Sequence, residues 1–473
     1  MGIPFYRLAY CSTFLLVLFG RMLVHSPGEL VAAPPNIVVF LADDLGYGDL
    51  GCYGHPVIQT PHLDRFAKQG LRLSQCYAAC AVCSPSRSAI LTGRTPYRNG
   101  VFTWIPEGRE VHLRTSEIAL PKLLKASGYA TCHVGKWHLN GHFNSPAHPQ
   151  PNDHGYDWWL ATQNNAAPSH ENPTNFVRNG QAIGRVDDYS ATFVVKEAVT
   201  WLKEHRDPAK PFLLSVWTHE PHYPIKSAPQ FKSLYPNLTD DVQREHHANV
   251  TQMDYAFGEL MSALDNLQLA NNTIVLFTSD NGPEGNGVTT PGRGSSGGLR
   301  GRKRSVYEGG IRVPGLVRWP AKIRPGTSSA QPVIGSDIFV TTAKLAGAQL
   351  PNDRVLDGGD LLSVLEGRPV ERARPLYWRC VIAPEPWKTA MRIDDWKILA
   401  DEGLTRFELY HLGRDPQEET ELSAKEPTKL AEMKAALQKL NAEIEAEGPD
   451  WWKTYNQGAK GKGKQTKNAK TSS

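Results

Sequence analysis

Cysteine is scarce in this chain, at seven of 473 residues. The positions (11, 52, 76, 80, 83, 132 and 380) follow no regular spacing, which excludes a small disulfide scaffold. Long apolar runs are missing as well. After residues 8–24, themselves interrupted by Arg21, no stretch is apolar for long enough to span a bilayer. Charge of one sign is also lacking. The formal net charge is only +4, and apart from a lysine-bearing tail nothing suggests a nucleic-acid partner. No internal repeat is present. What is there is the composition of an ordinary globular protein, 40% hydrophobic and 21% charged. Its length suits two domains, or one large α/β domain with an appendage.

The two ends read differently from the middle. Arg7 precedes the apolar stretch Leu8 to Val24, and Val31-Ala32-Ala33 offers small residues for cleavage before Pro34. Residues 1–33 are therefore predicted to be an export signal. Export places the mature chain in the periplasm or outside the cell (in the lysosome of a eukaryote), without stable membrane insertion once the signal is gone. Cys11 leaves with the signal, so six of the seven cysteines remain and pairing among them stays open. Residues 457–473 carry Lys460, Lys462, Lys464, Lys467 and Lys470 among Gly, Ser, Thr and Asn, and are expected to be a disordered basic tail.

Between the ends, one theme recurs. "NIVVFLADD" runs through Ile37 to Leu41 and ends in Asp43 and Asp44. "YATCHVGKWH" ends with Lys136 and His138, "PFLLSVWTHEPH" with His219 and His222, and "TIVLFTSDNG" with Asp280 and Asn281. Unalternating apolar runs suit parallel strands buried on both faces. Helical stretches are predicted between them, at Thr60–Gly70, Ser116–Ser127, Tyr189–His205 and His247–Leu267. That alternation implies an open, mainly parallel sheet with helices on both sides, which binds ligands beyond the carboxyl ends of its strands. All four polar clusters fall at such ends. Asp43, Asp44, Asp280 and Asn281 offer only oxygen, the ligand set of a hard divalent cation such as calcium or magnesium. Lys136, His138, His219 and His222 supply donors and proton carriers. A metal with several cations attracts an anionic substrate, so the pattern points to hydrolysis of an anionic ester.

"ACAVCSPSRSAILTGR", residues 79–94, admits two chemistries. Cys80 and Cys83 form a C-x-x-C, which suits a redox pair or half a metal site. Cys83 also opens C-x-P-x-R-x-x-x-x-T-G, with Pro85, Arg87, Thr92 and Gly93. Five fixed types match by chance on the order of once in ten thousand chains of this length, so the second pattern carries more weight.

With that motif the chain resembles the formylglycine-dependent sulfatases of the alkaline phosphatase superfamily. "PNIVVFLADDLGYGDLGCYG", "GKWHL", "HEPHYP", "SDNGPE" and "LRGRKRSVYEGGIRVP" match further family segments. The resemblance implies an alkaline phosphatase-like fold, a large mostly parallel sheet flanked by helices with a smaller C-terminal antiparallel sheet plus helix. It implies that a maturation enzyme oxidises Cys83 to formylglycine, whose hydrate supplies the nucleophilic hydroxyl. It further implies one calcium ion on Asp43, Asp44, Asp280, Asn281 and the modified Cys83. Arg87 then holds the hydrate, Lys136 and Lys303 bind sulfate oxygens, His138 contacts the hydrate and His222 faces the leaving oxygen. The expected substrate is a sulfated small molecule or polysaccharide.

Other residues have competing readings. His219 fits a hydrogen-bonded turn residue slightly better than a site residue. Lys303 sits among Arg300, Arg302 and Arg304, so a solvated charge run competes with sulfate binding. Asn164 or Asn165 lies where some relatives place a sulfate contact. Cys80 reads as a packed free thiol, with a disulfide to Cys76 or Cys52 as the alternative. Asn237, Asn249 and Asn271 open Asn-x-Thr glycosylation sequences. The Gly-rich stretch 282–305 is expected to be mobile, either closing on substrate or passive. Residues 34–372 are assigned to the catalytic domain, with 351–374 as a connection. Residues 373–456 form a C-terminal α+β subdomain with strands in "PLYWR", "TAMRIDDWKILA" and "RFELYHLGRDP" and a helix over 427–445. The competing activities are a formylglycine-dependent phosphoester or phosphonate hydrolase, a non-catalytic polysaccharide-binding relative, and a thiol oxidoreductase on Cys80 and Cys83.

Overall fold

The computed structural model describes residues 33–285 and 293–449, together with Met1, Gly2 and Pro4. The chain separates into Met1–Ala33 and Pro34–Ser473, and everything below concerns the second unit. The predicted tail and nearly all of the predicted export signal lie outside the described residues, as do residues 286–292 of the Gly-rich stretch.

Seven strands make the body of the central sheet: β1 (Asn36–Ala42), β2 (Leu71–Tyr77), β3 (Ala130–Lys136), β4 (Trp158–Thr162), β5 (Phe212–Trp217), β6 (Thr273–Ser279) and β7 (Arg312–Arg318). Their order is β2-β7-β6-β1-β5-β3-β4, extended by short strands at both edges. From β6 to β4 every pairing is parallel. The four apolar runs are β1, β3, β5 and β6, and they are adjacent. Every residue of β1, β5 and β6 is buried, which is why they show no polar alternation. Burying such side chains contributes roughly 1.5–3 kcal/mol each. One core lies on each face of the sheet. The parallel set is interrupted at β7, which runs antiparallel to both β6 and β2.

Helix positions follow the prediction with two adjustments. The helix expected over 116–127 spans only Leu120–Ala126. Pro121 lacks an N–H and fits only the first turn, so the helix cannot extend back to Ser116. The helix expected from His247 begins six residues earlier, at Asp241. Asp240 caps it, its carboxylate accepting from the Val242 and Gln243 N–H groups at 2.9 and 3.2 Å.

Strands β8 (Leu376–Arg379), β9 (Trp387–Ile393), β10 (Trp396–Asp401) and β11 (Phe407–His411) form a separate antiparallel sheet in sequential order. The helix Pro427–Glu445 packs on it through Met433, Leu437, Leu440 and Ile444. Among the described residues no helix is long and apolar enough to cross a membrane. Asn249 is fully buried and its amide donates to the Lys226 carbonyl at 3.2 Å. A glycan there would have no room, which removes one of the three glycosylation sequences; Asn237 and Asn271 are exposed.

Candidate active site

Because β1, β3, β5 and β6 are parallel and adjacent, their carboxyl ends open onto one place. Asp43 and Asp44 follow β1, Lys136 closes β3, His222 follows β5, and Asp280 and Asn281 follow β6. Gly135, at φ +107, allows the turn into Lys136: a Cβ there would lie 1.8 Å from the Trp217 carbonyl oxygen. Cys83 is the first residue of the buried helix Cys83–Thr92. Its side chain meets Asp43 and Asp280, with one ligating atom of each within 4.8 Å of the others. Gly93, in the left-handed region at φ +68, ends that helix.

Ion pairs lace the cluster together. Arg87 donates to one Asp280 oxygen from Nε at 2.9 Å and Nη2 at 2.7 Å, and from Nη1 to the Lys136 carbonyl at 3.1 Å. Lys136 Nζ donates to Asp43 Oδ2 at 2.6 Å. Lys303 Nζ reaches Asp44 at 2.7 Å and Glu284 at 3.0 Å. Burial opposes the Arg87 charge, but Asp280 and Asp43 outweigh it and hold the guanidinium above its ordinary pKa. Burial pushes the Cys83 thiol up, against Lys136 and Lys303.

Two oxygens of this cluster have no donor: Asp43 Oδ1 and Asn281 Oδ1, both buried. The Asn281 amide donates to Asp44 Oδ1 at 2.7 Å, which fixes its own oxygen on the other side. Orphaned buried oxygens cost roughly 1–3 kcal/mol each unless something meets them. A hard cation does, and the donor set is all oxygen apart from the Cys83 sulfur. The residues therefore fit a divalent ion of the calcium or magnesium kind.

The histidines divide. His138, at φ +57, donates from Nε2 to the Ile105 carbonyl at 3.1 Å, which leaves Nδ1 buried, unprotonated and without a partner. Burial, then Lys136 and Arg87, holds its pKa well below the usual range. His222 is half-buried. Its Nδ1 donates to the Tyr223 carbonyl at 2.5 Å, and its Nε2 lies 3.6 Å from Asp44.

The sulfatase family profile matches residues 35–348, and the profile of the N-sulphoglucosamine sulphohydrolase C-terminal region matches residues 301–446. The chain belongs to the sulfatase family. It is 36% identical over 402 residues to N-acetylgalactosamine-6-sulfatase of Rattus norvegicus, covering 78% of this chain and 73% of that one. To steryl-sulfatase of Mus musculus it is 34% identical, covering 72% and 66%. Among solved structures, Ps i-CgsB, also determined with k-i-k-neocarrahexaose, matches with a TM-score of 0.78 at 27% identity over 87% of this chain and 93% of that one. The PsFucS1 sulfatase from Pseudoalteromonas sp. matches with a TM-score of 0.72 at 27% identity, covering 88% and 91%. The protein is thus a sulfuric ester hydrolase, with the mostly parallel sheet and second antiparallel sheet expected of it.

The cluster at these strand ends brings together the ten residues singled out from the sequence, and Lys303 is no part of a solvated run: it is buried beside Asp44. His219 is buried and bonds through Nε2 to Thr162 Oγ1 at 2.8 Å, so it packs beneath the site. Asn164 and Asn165 follow β4, each with an unpartnered Oδ1. Glu284 was not anticipated. It pairs with Lys303 and, at 2.6 Å, with Arg304; its position three residues after Asn281 was the available signal. A second group of ligating atoms, on Glu110, His142 and His148, lies outside this cluster. His148 Nδ1 accepts from the His142 N–H at 3.2 Å, so its proton sits on Nε2, the atom facing Glu110. That tautomer cannot bind a metal there.

Proposed function

We propose that this sulfatase removes sulfate from a sulfated carbohydrate through a formylglycine at position 83 and a calcium ion. The observation that carries the reading is the placement of Cys83. It starts a buried helix against Asp43 and Asp280, beside orphaned oxygens and two buried lysines. The ion would be held by Asp43, Asp44, Asp280, Asn281 and the modified Cys83, and would stabilise negative charge developing on the transferred group. Oxidation of Cys83 by a maturation enzyme would supply a geminal diol, one hydroxyl to attack sulfur and another whose deprotonation expels sulfate.

The chain's own residues fit the remaining tasks. Arg87 positions Asp280 and faces the nucleophile with a fixed charge. Lys136 and Lys303 now spend their ammonium groups on Asp43 and Asp44. With a cation on those carboxylates, both lysines are free to bind sulfate oxygens. His138 offers an unprotonated Nδ1 to accept the proton of the second hydroxyl. His222, with Nδ1–H tied to a carbonyl, turns Nε2 towards the leaving oxygen and would deliver a proton there only as the imidazolium, a form that burial and Lys303 oppose and an anionic sulfate ester would favour.

A carbohydrate is favoured over a sterol by the space next to Lys303. A cavity of about 650 Å³ there is lined by Glu284, Arg302, Arg304, Ser305 and Glu385, among others. Charged and hydroxyl side chains suit a polyhydroxylated leaving group and give a sterol little apolar surface. The neocarrahexaose bound by Ps i-CgsB and the galactosamine-sulfate named for the Rattus norvegicus relative agree with this choice. The domain limits 34–372 and 373–456, and export directed by residues 1–33, belong to the same proposal. The test is turnover of a panel of sulfated sugars, an aryl sulfate, a sterol sulfate and an aryl phosphate. Preference for sulfated sugars is expected; preference for aryl phosphate or sterol sulfate would overturn it.

A further inference from the structure

The sulfatase chemistry uses Cys83 and leaves the other half of the C-x-x-C, Cys80, without a task. Cys80 is 1% exposed and lies in the loop that delivers Cys83 to its helix. The loop is fixed at both ends. Cys80 N–H donates to Ser86 Oγ at 3.1 Å, and the Ser86 hydroxyl donates back to the Cys80 carbonyl at 3.1 Å.

Across from it runs β8. The Trp378 indole N–H donates to the Ala78 carbonyl at 2.8 Å, and the Cys80 thiol donates to the Arg379 carbonyl at 3.3 Å. The next residue is Cys380, 2% exposed, held by its N–H on the Lys388 carbonyl at 2.8 Å. Both thiols are free in this structure, and the Arg379 carbonyl that Cys80 contacts belongs to the peptide bond leading into Cys380. Both belong to one apolar cluster, together with Cys83, Trp378 and Tyr410. Cys76, the partner considered from sequence, bonds instead to Thr278, at 3.6 Å.

We propose that Cys80 and Cys380 are a covalent modification site: a disulfide that staples the nucleophile-bearing loop to the four-stranded sheet. The two segments are already in contact, through the Trp378 indole on the Ala78 carbonyl and the Cys80 thiol on the Arg379 carbonyl, so the bond would join neighbours rather than distant parts of the fold. In the reaction the two thiols lose two protons and two electrons, and one S–S bond forms. A disulfide donor such as oxidised glutathione takes them up, its own S–S bond breaking to two thiols, through a mixed-disulfide intermediate. Both sulfurs are buried in the finished fold, so exchange takes place during folding, before the sheet closes over the loop. Bonding Cys80 to Cys380 also keeps it from pairing with Cys83.

The test uses the full chain refolded with a mixture of oxidised and reduced glutathione. Free thiols are alkylated in denaturant, the protein is digested without reduction, and peptides are weighed. Expected is a linked peptide pair containing Cys80 and Cys380, two hydrogens lighter than the sum of its parts, with Cys52, Cys76 and Cys132 alkylated. Alkylated Cys80 and Cys380, or Cys80 linked to any other cysteine, would overturn the proposal. A second measurement compares thermal midpoints with and without reductant. The wild type should lose roughly 5 °C or more on reduction, whereas Cys380→Ala should not respond. Equal responses would count against the staple, and if Cys380→Ala fails to fold, the wild-type peptide map still decides.

Discussion

At the carboxyl ends of β1 and β6, Asp43 and Asn281 each keep a buried oxygen without a donor. Where Glu308 meets the four-stranded sheet, every carboxylate oxygen faces a cation or a donor, Glu418 Oε1 through an ion pair and not a hydrogen bond. Lys397, fully buried on β10, lies 2.9 Å from Glu308 Oε1 and 2.8 Å from Glu418 Oε1. Glu308 Oε2 accepts from the Tyr77 hydroxyl at 2.7 Å, and Glu418 Oε2 from the Glu308 N–H at 2.6 Å. Arg392 completes the group by donating to Tyr77 at 2.6 Å. Both regions bury several charges, so burial alone says nothing of function. The unfilled oxygens of the first leave room for a ligand, whereas the closure of the second makes it a joint between the two sheets.

The comparison is easiest to break at Asp280. Asp280→Ala removes both the Arg87 clamp and a ligand of the proposed cation site. Turnover should fall by about a thousandfold or more, with loss of bound metal measured on the same preparation by elemental mass spectrometry. Retained metal with full kcat/KM would put the open site elsewhere.

His222→Ala sharpens the functional half. A nitrophenolate leaves without a proton and a sugar alkoxide does not, and general acid catalysis contributes about 10²–10⁴-fold. The loss in kcat/KM should therefore be far greater on a sulfated sugar than on nitrophenyl sulfate, provided sulfur transfer limits both. Equal losses would assign His222 to binding or structure.

The closed cluster should answer in stability. Lys397→Met strands two buried carboxylates and is expected to cost about 3–5 kcal/mol in denaturant unfolding, with kcat of the folded fraction little changed. A large drop in kcat without a stability loss would blur the distinction drawn here. A smaller effect is set by pH. Burial raises the Glu418 carboxyl to about 7, despite Lys397. The proton is held more tightly in the folded state than in the unfolded one, near 4.3. The stability it brings is full at acid pH and is lost as pH rises through about 7. Glu418→Gln should flatten the decline in thermal midpoint between pH 5 and 8; an unchanged slope would show that another group sets it.

Much of the site was legible because it depends on local pattern. Apolar runs ending in Asp43-Asp44, Lys136 and Asp280-Asn281 give both the strand and the place where its chemistry stands, and parallel packing does the rest. What stayed hidden depends on contacts between distant segments. Nothing local announces that β7 runs antiparallel within a parallel set, or that Lys303 folds back from a basic stretch onto Asp44. Lys397 reads as a surface lysine in "DDWKILA" until Glu308 and Glu418 are seen beside it. Cys80 lies 300 positions from Cys380, and only the fold brings them into one apolar cluster. The cap at Asp240 was a different kind of omission, since a local signal was present and the apolar periodicity drew the boundary later.

The central claim rests on Cys83 as a precursor, and peptide mass spectrometry of active enzyme tests it most directly. In a host with the maturation system, the peptide spanning Cys83 should carry an aldehyde at that position. Specific activity should rise in proportion to the converted fraction, while Cys80→Ala should keep most activity. Full activity in protein whose residue 83 is entirely unmodified thiol would contradict the account.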